Sequence, residues 1–201
     1  MLLQQGGAEM SETLFSIASS LPVGNLKPGK RFLMNDKMFV VLGHTSSCSA
    51  CLMTSYWRLL SYGQGQVNYL HSNIRRQLNS DFYNELVEYF GPDGIVEHAV
   101  DLSADDGTDY NHACLDMVSV ISARDYRMYR QFIKPSSDSW WTATPITSEK
   151  GIFEDQHLYI VPKFGVLDRE NNLKPLGVRP FFYLKSEKTV IPQGEFKSVS
   201  L

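Results

Sequence analysis

The chain has 201 residues, of which 43% are hydrophobic and 20% charged, and a formal net charge of −3. This is the balance of a soluble folded protein with one sizeable core and one or two domains, and the negative charge argues against a field that binds phosphate backbones. Three cysteines, an odd and low number, argue against a disulfide framework. The opening residues Met1 to Gly7 hold neither a basic region nor an apolar run, so no secretory signal is expected. No stretch has the apolar length needed to span a bilayer. A chain made and at first kept in the cytoplasm is the expectation, with neither nucleic acid nor membrane as a partner.

Residues 1–30 are weakly patterned. Ser11 to Ser20 suits one short helix with Leu14 and Ile17 on one side, and the run from Leu21 through Pro22 and Gly24 to Pro28 and Gly29 breaks regular structure. The segment reads as an N-terminal arm before a domain at 31–201, either docking on a neighbour or folding back on its own domain. Lys37 to Gly43 is rich in β-branched and aromatic residues and reads as a buried strand. A second run, Cys51 to Leu60, alternates less cleanly and closes at the Gly63-Gln64-Gly65 loop.

From Ser72 to Phe90 the apolar residues Ile74, Leu78, Phe82, Leu86 and Phe90 recur every fourth position, which predicts a helical stripe. Asn79-Ser80-Asp81 offers a cap in mid-run, so two short helices with a kink are expected, ending at Gly91-Pro92-Asp93-Gly94. Ile95 to Leu102 reads as a strand, Ser103 to Asn111 as a loop, and Leu115 to Ile121 as a strand. Ser122 suits the N-cap of a helix to about Phe132, with Asp125 at its third position; Tyr126, Tyr129 and Ile133 share a face.

Ser139 to Pro145 reads Ser-Trp-Trp-Thr-Ala-Thr-Pro and holds two of the three tryptophans. Neighbouring side chains of a strand point to opposite faces, so Trp140 and Trp141 cannot enter one core layer. Two readings follow: both indoles are packing anchors, or one of them lines a ligand or partner surface. Pro145 ends the ladder because it has no N–H to donate. Leu158 to Pro162, Phe164 to Leu167 and Val178 to Leu184 read as strands, with a turn at Asp168 to Asn172. The order of elements predicts an α+β fold, a mostly antiparallel sheet with two helical regions and long loops.

The best metal candidate is His44-x3-Cys48-x2-Cys51 with His112-x-Cys114, a ligand set that suits zinc. Against it, Cys51 and Cys114 begin apolar strands, where cysteine behaves as a small hydrophobe. Asp105, Asp106, Asp109 and Asn111 are oxygen donors of the kind calcium takes, but their spacing is not that of an EF-hand, and a solvated turn is the simpler reading. No Gly-x-Ser-x-Gly, His-Glu-x-x-His or phosphate-loop pattern occurs. Neither an enzyme activity nor a cofactor is expected.

Four blocks carry a resemblance. They are Tyr69 to Phe82, with Arg75 and Asn79; Asp116 to Tyr126; Trp140 to Pro145; and Gly177-Val178-Arg179-Pro180-Phe181. In this order they resemble a family of domains in bacterial surface proteins and tailed-phage structural proteins. That family is similar to the C-type-lectin-like fold shared by formylglycine-generating enzymes and the variable receptor-binding proteins of retroelement-bearing phages. The resemblance covers roughly residues 30–190. It departs at Thr142-Ala143, where family members often carry an arginine.

The resemblance implies a C-type-lectin-like fold with Arg75, Asn79, Tyr126, Arg179 and Pro180 as structural signature residues. A buried arginine in such a block needs a carboxylate or several carbonyls, and pins loops to the sheet. The calcium tripeptides of C-type lectins are missing, and all three cysteines precede the tryptophan pair, which does not match the late cysteine pair of the formylglycine-generating enzymes. The implied function is a non-enzymatic virion protein of a bacteriophage: a capsid decoration, head-fibre or tail-tip component. Its partners would be other virion proteins and its own copies, met through loops at about 103–114 and 134–157. The alternative is a host-surface adhesin or glycan-binding module in which Trp140 or Trp141, with Tyr110 or Tyr159, stacks on a sugar.

Overall fold

Side-chain alternation along a few two-sided strands divides this protein into layers. The computed structural model describes residues 20–63, 67–149 and 156–193, with backbone alone at 109–112. The strands of the first half are β1 (Leu21–Pro22), β2 (Arg31–Met34), β3 (Lys37–His44), β4 (Cys48–Met53), β5 (Arg58–Leu60), β6 (Ile95–Val96), β7 (His98–Ser103) and β8 (Asp109–Asp116). Those of the second half are β9 (Trp140–Pro145), β10 (His157–Val161), β11 (Asp168–Asn171), β12 (Leu176–Val178), β13 (Phe181–Lys185) and β14 (Thr189–Gln193). Between them lie α1 (Asn73–Gln77), α2 (Tyr83–Phe90) and α3 (Ala123–Tyr129).

One sheet runs β1-β14-β2-β3-β4-β13-β6, a second β11-β10-β9-β12-β5, and β7 pairs with β8. Among the described residues the pairings are antiparallel except β12 against β9. The architecture is therefore α+β with mostly antiparallel sheets and two helical regions. Among the described residues no helix is long and apolar enough to cross a membrane.

The apolar run of β3 is continuous because both of its faces are covered. Phe39 and Val41 join Cys51 and Met53 in the larger cluster, under Ile74, Leu78, Phe82, Leu86 and Phe90 of the helical run. Val40, Leu42, Ala50 and Leu52 face the other way, onto Tyr126, Ile133, Trp140 and Phe181.

The helical run does not break and recap. Leu78–Phe82 forms one π-helical turn between α1 and α2. A strict four-residue period overshoots the 3.6-residue turn by about 40° per step. The wider i→i+5 turn takes up the excess and keeps the stripe on the sheet. Asn79 is thereby freed from capping: Oδ1 accepts from the Met117 and Val118 amides, and Nδ2 donates to the Val118 and Arg75 carbonyls. The second helical region follows the cap expected for it, with Ser122 Oγ accepting from the Asp125 amide at 3.0 Å.

Other boundaries moved. The run from Cys51 splits, because the chain leaves one sheet for the other between β4 and β5. The β12–β13 segment makes the same crossing at Arg179-Pro180, and Met53 N donates to Pro180 O across that corner. The loop expected at Ser103 to Asn111 narrows to residues 104–108, the turn of the β7–β8 hairpin, and residues 117–122 hold only an isolated bridge, Ser119 to Phe181. Asp168 to Asn171 is an edge strand, not a turn, and its polar sequence suits an exposed edge. Phe164 to Leu167 is the loop before it. Leu21 and Pro22 pair with Val190 and Thr189, so residues from 21 onward border the sheet. The helix expected over Ser11 to Ser20 lies outside the described residues, apart from Ser20.

Candidate functional site

Strand β9 does separate its tryptophans, and both are buried, Trp141 at 0% and Trp140 at 1% exposure. Trp141 belongs to the larger cluster, where its Nε1 donates to Leu60 O at 2.8 Å and its ring meets Tyr62 edge-on. Trp140 belongs to the other, with Tyr126 edge-on at 5.6 Å and the Arg179 guanidinium carbon 4.5 Å from its ring centre. The reading of both indoles as packing anchors therefore holds, and the one in which an indole lines a surface is corrected: β9 is covered on both faces. Tyr159 is half-buried, its hydroxyl donating to Asp105 at 2.7 Å and its ring facing Arg127. The Tyr110 side chain lies outside the described ones.

The zinc set does not assemble. A spacing of three on β4 sends Cys48 and Cys51 to opposite faces. His44 has both ring nitrogens engaged, with Ser49 Oγ at 2.9 Å and Leu26 O at 2.8 Å. Burial pushes the Cys51 thiol up, and the Cys114 thiol up to about 11. The His112 side chain is outside the described ones. Among the described residues no group of three or more His, Cys, Asp or Glu is placed to hold a metal. In the acidic loop Asp105 is engaged by Tyr159 and Arg127, and Asp106 Oδ1 accepts from the amide and hydroxyl of Thr108.

His44 contacts Ser49 and His98 contacts Ser119, each at 2.9 Å. Both serines are closed off, at 0% and 1% exposure, so neither hydroxyl meets a substrate. His98 packs between Phe181 and Tyr183, and burial holds its pKa down at about 4.

The signature residues sit at junctions. Arg75 donates from Nε to both oxygens of buried Asp116, at 2.8 and 3.0 Å, and its Nη2 lies 2.6 Å from Oδ1. The Tyr126 hydroxyl donates to Gly165 O at 2.7 Å, and Arg130 Nε donates to the same oxygen at 3.1 Å. Gly165 has φ of +71°, and a Cβ there would collide with the Arg130 guanidinium. The 162–167 turn is therefore fixed, and it turns Phe164 and Val166 outward at 74% and 69% exposure. Beside them, a groove of about 520 Å³ runs between Ser137 to Ser139 and Pro162 to Asp168.

Arg179, at the sheet corner, is 1% exposed. Its Nε donates to Met53 O at 2.8 Å, and its Nη1 has no partner. It lines a second pocket, of about 250 Å³, with Arg31, Val40, Thr54, Phe132, Lys134 and Pro135. Loss of hydration pushes its pKa down to about 10, with Arg31 adding to the fall. Neither this trio of cations nor the Phe164 loop stands out in the sequence, because each is assembled by long-range pairing. Neither a protein-family model, nor a curated protein, nor a solved structure matches this chain.

Proposed function

We propose that this chain is a non-enzymatic binding and structural protein of a bacteriophage particle, with its α+β framework of the C-type-lectin-like kind. It would serve as a capsid decoration, head-fibre or tail-tip component that contacts other virion proteins and its own copies. The binding half of this reading is carried by the Phe164 and Val166 lip, two large apolar side chains displayed on a turn that Tyr126 and Arg130 hold in place beside a groove. Loops fixed on a sheet scaffold are where contact surfaces are built, and clustered exposed apolar groups mark them. The particle half rests on the four sequence blocks. Of the residues the adhesin alternative would stack on a sugar, both indoles are buried and Tyr159 is engaged by Asp105 and Arg127, while the Tyr110 side chain lies outside the described ones.

Affinity capture from the native source, comparing the full chain with its F164E/V166E variant, tests this reading. Capsid, portal or tail proteins should be captured by the wild type and lost by the variant, with unchanged thermal stability. Recovery of sulfatase-like clients, or of cell-wall glycans without any virion protein, overturns it.

A further inference from the structure

Arg179 is a full positive charge taken out of water with no counter-charge among the described residues. A guanidinium has five N–H donors, and an uncompensated buried ion is strongly unfavourable. Among the described residues Arg179 has one carbonyl, Met53 O, and the face of Trp140. Its Nη1 is unpartnered. A second orphan donor, Trp140 Nε1, belongs to the ring it covers. Among the described residues no carboxylate pairs with it.

The rest of the pocket adds to the imbalance. Arg31 and Lys134 line the same cavity, and among the described residues neither makes an ion pair. Four separate segments bring these groups together. Arg31 comes from β2, in register with Val40 of β3; Thr54 follows β4; Lys134 follows α3 and its 3-10 extension; Arg179 sits at the corner. The chain as a whole is negative, at −3, so this trio is a local feature.

We propose that this pocket binds a phosphate group, free or as a phosphate ester, with Arg179 at its floor and Arg31 and Lys134 at its mouth. Three cations match a dianion, whereas a single carboxylate would leave most of the positive charge unanswered. A phosphate monoester carries about −1.5 to −2 at neutral pH, with three acceptor oxygens that suit guanidinium forks and a Thr54 hydroxyl. A volume of about 250 Å³ holds about eight waters, room for the group and part of what it is attached to. The depressed pKa of Arg179 still leaves it charged at neutral pH, ready for the anion. This inference stands apart from the particle reading, because the pocket shares no lining residue with the Phe164 groove.

The test is thermal unfolding and calorimetric titration of the full chain at constant ionic strength, with inorganic phosphate, glycerol phosphate, acetate and chloride as probes. Phosphate at a hundredfold excess over its Kd should raise Tm by about 5 °C. R179M should lose binding. So should R31Q/K134Q, whose substitutions lie at the mouth and leave the core intact, by at least tenfold. Tighter binding of glycerol phosphate identifies an ester as the ligand, and equal or weaker binding identifies free phosphate. Phosphate no better than chloride overturns the proposal. So does acetate binding as tightly as phosphate, or an R31Q/K134Q variant that binds as the wild type does.

Discussion

Arg75 and Arg179 both reach into the body of the protein, but Arg75 finds Asp116 there and Arg179 finds a carbonyl and an indole face. Asp116 is buried, and Arg75 also donates to Leu70 O, so the pair closes the end of β8 onto the helical run. Arg179 fastens the corner where two strand pairs change sheets, yet leaves Nη1 empty-handed. The difference separates two uses of one residue type. Where the counter-charge lies in the chain, the arginine holds structure. Where it does not, the remaining charge is open to something from outside.

The largest effect expected is at the complete pair. R75A strands the Asp116 carboxylate in the core and should cost about 3–5 kcal/mol in urea unfolding. Adding D116N to it should recover part of that loss; a loss under about 1 kcal/mol for R75A would erase the contrast. A proton probe of the same region comes next. His98 stands opposite Asp116 in the β7–β8 register. Its folded pKa, about 4, lies below its ordinary 6.5, so the unfolded chain takes up the proton first. Its stabilisation is complete above pH 6.5 and is lost as pH falls toward 4, by about 3 kcal/mol. Unfolding free energies measured at pH 7, 5 and 4 should show that fall, and H98Q should flatten it. The smallest effect is expected at Arg179. In phosphate-free buffer R179M should change stability by less than about 1 kcal/mol, since an apolar group replacing an unanswered buried charge is often neutral. A loss as large as that of R75A would mean that Arg179 is satisfied within the chain.

Local rules reached part of this arrangement. Alternation separated Trp140 from Trp141, and Ser122 with Asp125 marked the start of α3. The same alternation applied to β4 would have parted Cys48 from Cys51, since a spacing of three on a strand cannot hold one metal. Asn79 looked like a cap because its side chain favours caps, but tertiary partners at Met117 and Val118 claimed it. Asp168 to Asn171 looked like a turn because edge strands and turns share polar composition. Arg31 and Lys134 lie more than a hundred positions apart, and only the strand register and the corner at Arg179 bring them together. That is why the pocket was not legible beforehand.

The two-sided strands have a consequence for how the protein comes apart. Trp140 and Trp141 are neighbours on one strand, and each anchors a different cluster; β3 and β4 divide their side chains in the same way. Neither cluster can be lost while the other keeps these strands in place. Unfolding should therefore be one cooperative transition, with the amides of β3, β4 and β9 exchanging through a single shared opening. Two adjacent cores share one threshold, and damage to either is felt by both.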